Sequence, residues 1–307
     1  MMFGSKFPDR ILVFLVFVLL GSLSLFVSCG TSSDLEGLRQ ESVYDRVIRT
    51  GKIRCAYVIC PPACIKDPNS GKLSGAAIEA IQMVGKKLGL LVEFPEEVGW
   101  STALEGLETN RYDLIATPLW TNADRAKIVG FSNPLCYNPV YAYVKKGQTR
   151  FNSVAAINSP DVRIATIDGD TSQVIAESDF PKAKRLAMVQ STDYASLMLN
   201  VATKKADVTF ADPVGAFFFQ KSNPDSIEVL DKQHPVRVFP TCWVFRRDQF
   251  EFKAMIDTVL DEVINSGTMD RLIDKYLPAP NLLYKVALPY QVPSSLSASK
   301  DGATVVR

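Results

Sequence analysis

Arg125 stands in the stretch D-L-I-A-T-P-L-W-T-N-A-D-R-A-K-I-V-G-F-S-N-P, which runs from Asp113 to Pro134. A guanidinium is planar and meets a carboxylate with two parallel hydrogen bonds, a geometry that lysine cannot copy. The second charged residue of interest is Asp212, which follows the apolar run Val208 to Phe210 and precedes Pro213. That position suits a helix cap, and one carboxylate can both cap a helix and hold a cation.

The elements around these residues decide whether they can meet. Leu114, Ile115 and Ala116 read as a short buried strand, and Thr121, Asn122 and Asp124 can cap a short helix carrying Arg125. The guanidinium then lies just beyond the carboxyl end of a strand, where open α/β sheets bind ligands. Upstream, a helix ends at the Gly51 turn and a strand runs to Val58. Ile78, Ile81, Val84 and Leu88 recur at helical spacing, with Gly89 past the end and a strand from Leu90 to Phe94. A further helix over 101–109 precedes the strand that begins at Tyr112. Alternating strands and helices specify a mostly parallel sheet flanked by helices.

A second unit of the same kind starts near Pro139. Its strands fall at 141–144, 163–167 and 207–210, and its helices at 171–178, 194–202 and 213–220. Asp170 caps the first of these helices, with Gln173 three residues on, as in a capping box. After 236–244 the chain is helical from Gln249 to Tyr276, and beyond Pro278 its composition turns to Pro, Ser and Lys.

These segments resemble the solute-binding protein family 3 receptors of amino-acid ABC transporters. The resemblance rests on Gly75 to Glu79, W-S-T-A-L-E-G-L from Trp100, the Arg125 segment with Val129, Phe131-Ser132 and Pro134, D-G-D-T-S from Asp168, A-D-V-T-F-A-D-P from Ala206 and I-N-S-G-T-M-D-R-L-I-D-K-Y-L. It spans about Gly51 to Leu277. It implies a two-lobed α/β fold of the type II periplasmic-binding-protein kind, each lobe a mostly parallel sheet flanked by helices, joined by two hinge strands. Lobe 1 would comprise 44–136 and 242–281 and lobe 2 would comprise 137–241, with 282–307 a loose tail. The hinges would fall at 135–139 and 240–242.

By the same resemblance Arg125 grips the ligand's α-carboxylate and Asp212 its α-ammonium, with Tyr57, Trp100 and Trp120 facing the cleft. The Pro118 carbonyl and Thr171 are further contacts. The chain departs from the family at five places: Asp170 replaces a hydroxyl residue, Trp120 a small hydroxyl residue, Ala77 an aspartate, Asn122 a threonine and Pro118 a glycine. Stacked indoles and an extra carboxylate favour aromatic or cationic amino acids over acidic ones. The expected role is capture of an amino acid and its delivery to an ABC permease. One alternative is an enzyme on the same fold, resembling cyclohexadienyl dehydratase, with Asp170 or Glu79 as acid; another is a detached sensor subunit. No cofactor is expected.

The first 29 residues carry Lys6 and Arg10, an apolar stretch from Ile11 to Val27 and then Ser28-Cys29. This reads as a secretory signal. It resembles a bacterial lipoprotein signal over 1–28, with Cys29 lipidated and 29–43 a tether; an uncleaved membrane anchor is the alternative. Either places the rest in the periplasm or at the cell surface. Losing Lys6, Asp9 and Arg10 takes the formal charge from +1 to zero, which leaves no electrostatic footprint for nucleic acid. The mature chain keeps Cys55, Cys60, Cys64, Cys136 and Cys242, an odd set in an oxidising compartment, and Cys60 to Cys64 is the expected local bridge. One histidine and the absence of C-x-x-C spacing argue against zinc.

Overall fold

Strand β1 (Lys52–Tyr57) leaves a left-handed Gly51 and lies between β4 (Leu91–Glu97) and β5 (Leu114–Trp120), parallel to both. The computed structural model describes residues 41–100 and 102–287, so Cys29, the leader and residues from 288 onward lie outside it. Ile53, Cys55 and Ala56 of β1 and Leu114, Ile115 and Ala116 of β5 are all 0% exposed. Strands covered on both faces need such unbroken apolar runs. The helix Ala76–Leu88 covers one face with Ile78, Ile81 and Val84 and stops at left-handed Gly89. Buried Asp113, just ahead of β5, holds Arg46 and Arg54, which fixes where that strand begins.

The chain leaves this half along β7 (Cys136–Lys145) and returns along β12 (Arg237–Arg246), which pair antiparallel from Val140↔Arg237 to Cys136↔Thr241. Between them a second half forms around the parallel strands β10 (Val208–Ala211), β8 (Arg163–Ile167) and β9 (Lys184–Met188), with β10 antiparallel to β7. Two short strands join the sheet at its sides, β6 (Val129–Phe131) on β12 and β11 (Ile227–Val229) on β7. A hairpin of β2 (Ile65–Lys66) and β3 (Leu73–Ser74) stands apart. The strand order is therefore β4-β1-β5-β12-β7-β10-β8-β9.

Packing follows the same division. One core joins Ile53, Ile78 and Leu114 to Trp243, Phe252, Leu260 and Ile273, so residues near both ends of the described chain share it. Others gather Val140, Ile164 and Phe210, or Tyr143, Leu197 and Phe219, in the second half. The helical stretch expected over 249–276 divides in two, Phe250–Asn265 and Thr268–Tyr276, at left-handed Gly267.

Two expectations need correction. Residues 282–287 are not loose: Leu283 and Val286 pack on the first-half core, and Tyr284 exchanges main-chain hydrogen bonds of 2.7 and 2.8 Å with Tyr137 of β7. The Cys60–Cys64 disulfide is also absent, because both residues are free thiols, as are Cys55, Cys136 and Cys242. Cys60 and Cys64 instead exchange main-chain hydrogen bonds of 2.9 and 3.0 Å. Burial, followed by the charge of Asp212, pushes the Cys60 thiol up to about 11, which disfavours the thiolate that forms disulfides.

Candidate functional site

Arg125 lies in the one-turn helix Ala123–Ala126, directly after β5. Asn122 caps that turn by accepting from the Arg125 N–H at 2.8 Å. The Arg125 side chain folds back, and its Nη1 donates to the Trp120 carbonyl at 2.7 Å. Burial draws the guanidinium below its ordinary pKa, while the charge of Asp170 opposes that shift. A cation that has lost part of its water and holds only a carbonyl is prepared for a carboxylate.

Asp212 comes from the second half, at the carboxyl end of β10. It caps the helix Pro213–Ser222, and its Oδ1 accepts from the Gly215 N–H at 2.8 Å. Tyr194 closes a tight loop with it: the tyrosine hydroxyl accepts from the Asp212 N–H at 3.2 Å and donates to the carboxylate. Burial raises the Asp212 pKa, against the lowering effect of these hydrogen bonds. A Cβ on Gly215 would stand 2.8 Å from the Tyr194 ring, so the glycine leaves the space this clamp occupies. Among the described residues no salt bridge includes Asp212 or Arg125.

Asp170 caps the helix Thr171–Asp179, accepting from the N–H and hydroxyl of Ser172 at 2.8 and 2.7 Å. Thr171, the first residue of that helix, is half-buried. Charges from the second half thus act on groups from the first, Asp170 on Arg125 and Asp212 on Cys60. Pro118 sits half-buried within β5. Trp120 stacks on Phe239 with ring centroids 5.3 Å apart and planes 8° from parallel, so one indole face is already covered. Trp100 is 49% exposed, and among the described residues no aromatic stacking contact includes it.

Tyr57 is held by contacts of its own. Its ring packs edge-on to Phe94, its hydroxyl donates to Glu97 at 3.4 Å, and it lines a separate groove of about 720 Å³ with Glu79, Gln82 and Tyr276. The Glu79 carboxylate in that groove is already held. Glu79 receives two hydrogen bonds of 2.8 Å from Lys275 and another from Tyr276. Arg125 and Asp212, by contrast, have no salt-bridge partner among the described residues.

Sequence reasoning missed Tyr194 and Phe239. Tyr194 sits at the start of the helix Ala195–Ala202, in a position without a side-chain cap bond, so no local pattern marks it. Phe239 lies in an alternating strand whose face is set only by pairing with β7.

Residues 53–279 match the bacterial extracellular solute-binding proteins, family 3. A probable amino-acid ABC transporter-binding protein of Haemophilus influenzae is 26% identical over 206 residues, covering 66% of this chain and 76% of that one. Cyclohexadienyl dehydratase of Pseudomonas aeruginosa is 23% identical over 248 residues, covering 78% and 87%. Among solved structures, an ancestral amino acid-binding protein described as a precursor of cyclohexadienyl dehydratase superposes with a TM-score of 0.62 at 26% identity, covering 77% of this chain and 100% of its own. A second structure of that ancestor, with a TM-score of 0.58, is described as a cationic amino acid solute-binding protein. The chain belongs to family 3 of the bacterial extracellular solute-binding proteins, and its fold is the two-lobed type II periplasmic-binding-protein fold.

Proposed function

We propose that this family member is an extracytoplasmic receptor that closes on a cationic amino acid and delivers it to an ABC permease, tethered to the membrane by a lipid on Cys29. The observation that carries this reading is the pair of unmatched charges, Arg125 in one half and Asp212 in the other. A buried charge without a counter-ion is costly, and an α-amino acid supplies both counter-ions on one carbon. Lobe 1 is assigned to 44–136 and 242–281 and lobe 2 to 137–241, with β7 and β12 crossing between them. Each lobe contributes one charge, so the ligand makes its full set of contacts only when the lobes are together. Thr171 and the Pro118 carbonyl are assigned to the same site, with Trp100 and the free face of Trp120 as its aromatic walls.

Arg125, Asp170 and Asp212 together carry a net charge of about −1, which suits a ligand of net charge about +1. The Phe239 stack leaves less indole for an aromatic side chain, so the cationic class is favoured over the aromatic one. Glutamate and aspartate are disfavoured. The dehydratase alternative loses one proposed acid, because the hydrogen bonds from Lys275 and Tyr276 hold Glu79 below its ordinary pKa and therefore ionised.

A thermal-shift panel of amino acids, amines and opines, with prephenate and arogenate as the enzyme arm, tests the reading on leaderless protein. A ligand at about 100 times its Kd adds roughly 2.7 kcal/mol. L-arginine or L-lysine is expected to give the largest rise, and turnover of prephenate without any amino-acid response would overturn the receptor assignment. Asp170→Asn keeps the helix cap and removes the extra charge. It is expected to reduce the preference for L-arginine over uncharged L-citrulline by about 1 kcal/mol, roughly fivefold in the Kd ratio by calorimetry. An unchanged ratio would remove Asp170 from the selectivity argument.

A further inference from the structure

We infer that the segment 281–287 is a strap across the crossing between the lobes, and that Tyr284 is a positioning residue which favours their approach. The inference rests on the receptor reading for its consequence, but not for its structure. Over residues 136–140 strand β7 is paired on one side only, by β12. Farther along it has partners on both sides, β10 at 141–144 and β11 at 143–145. Tyr284 fills the open side with its reciprocal main-chain bonds to Tyr137. An unpaired stretch of strand is where a further segment can add by main-chain hydrogen bonds.

The strap is fixed to one lobe and reaches the other. Leu283 and Val286 pack on the first-lobe core, and Lys285 bonds to Asp274 of the last helix at 2.7 Å. Beyond the crossing, the Tyr284 hydroxyl meets that of Tyr141 at 2.9 Å, and Tyr141 packs on a second-lobe core. Turning the lobes about β7 and β12 moves Tyr141 relative to the strap, so this bond belongs to one arrangement. In that arrangement the strap of the first lobe and Tyr141 of the second are held within hydrogen-bond distance. The bond therefore supports the approached lobes, which raises the population competent to bind.

Tyr284→Phe and Tyr141→Phe each delete the hydroxyl pair and keep the rings and the main-chain bonds. We expect either variant to enlarge the radius of gyration of the ligand-free protein in small-angle scattering. With L-arginine as probe, each should weaken binding about threefold to tenfold, the scale of one neutral hydrogen bond. The double variant should lose no more than either single one. Unchanged scattering in both single variants would overturn the inference, as would additive losses. If scattering responds while no amino acid binds, the strap stands and the receptor reading fails.

Discussion

Asp212→Asn is expected to cost an amino-acid ligand about 2–5 kcal/mol, the scale of removing one partner of a buried charge pair, while raising the stability of the ligand-free protein. Both effects follow from one carboxylate. Its folded pKa is raised by burial above the ordinary value of 3.8. The folded state thus holds this proton more tightly than the unfolded chain. That contribution is complete below the ordinary value and is lost as pH rises through the folded one. Above the folded pKa the ionised carboxylate is therefore a net cost without its ligand. Asparagine removes the cost and still offers an oxygen to the Gly215 N–H. Calorimetry should show a much larger loss for the amino acid than for its deaminated analogue. Equal losses for both would reduce Asp212 to a helix cap. Wild-type binding should also weaken as pH falls through the folded pKa, because the protonated carboxyl no longer holds an ammonium.

Arg125→Lys is expected to weaken carboxylate ligands by about 1.5–3 kcal/mol, the worth of a hydrogen bond to a charged group. Lysine keeps the charge, but it has one donor group where arginine has a fork. Nη1 of Arg125 is already committed to the Trp120 carbonyl. The remaining donors can still present a carboxylate with two parallel bonds, and a lysine holding the same carbonyl cannot. The loss should appear for amino acids and equally for their deaminated analogues, and much less for decarboxylated amines. Unaltered calorimetric affinity for amino acids in this variant would show that Arg125 has no part in the site.

The Arg125 segment was legible because its determinants are local. An apolar run, a turn, an asparagine cap and the arginine occupy adjacent positions, and the structure arranges them as a strand followed by a capped turn. Asp212 was legible for the same reason, as an acidic cap between an apolar strand and a proline. The contacts of Tyr57 were not, because a strand residue faces one side or the other according to its register with two neighbours. Tyr194 reaches Asp212 across 18 residues and Tyr284 reaches Tyr137 across 147, and neither approach leaves a periodic trace. The proline- and serine-rich composition after Pro278 pointed to a loose end. Composition does not register that Leu283 and Val286 find an apolar surface prepared by helices far back in the chain.

Strand β12 reaches β5 at Thr241↔Trp120, closing a loop of more than 100 residues. Closing so long a loop from a disordered chain costs about 2 kcal/mol more than closing one of ten. The second half removes that cost once it has formed, because it brings Val140 and Arg237 together as paired neighbours. What then remains for β12 is a short step from β7 to β5. The intervening half thus serves as a template for completing the half that encloses it. Damage to Ile164 or Phe210, which belong to the core of the second half, would be felt there as a loss of cooperativity in assembly.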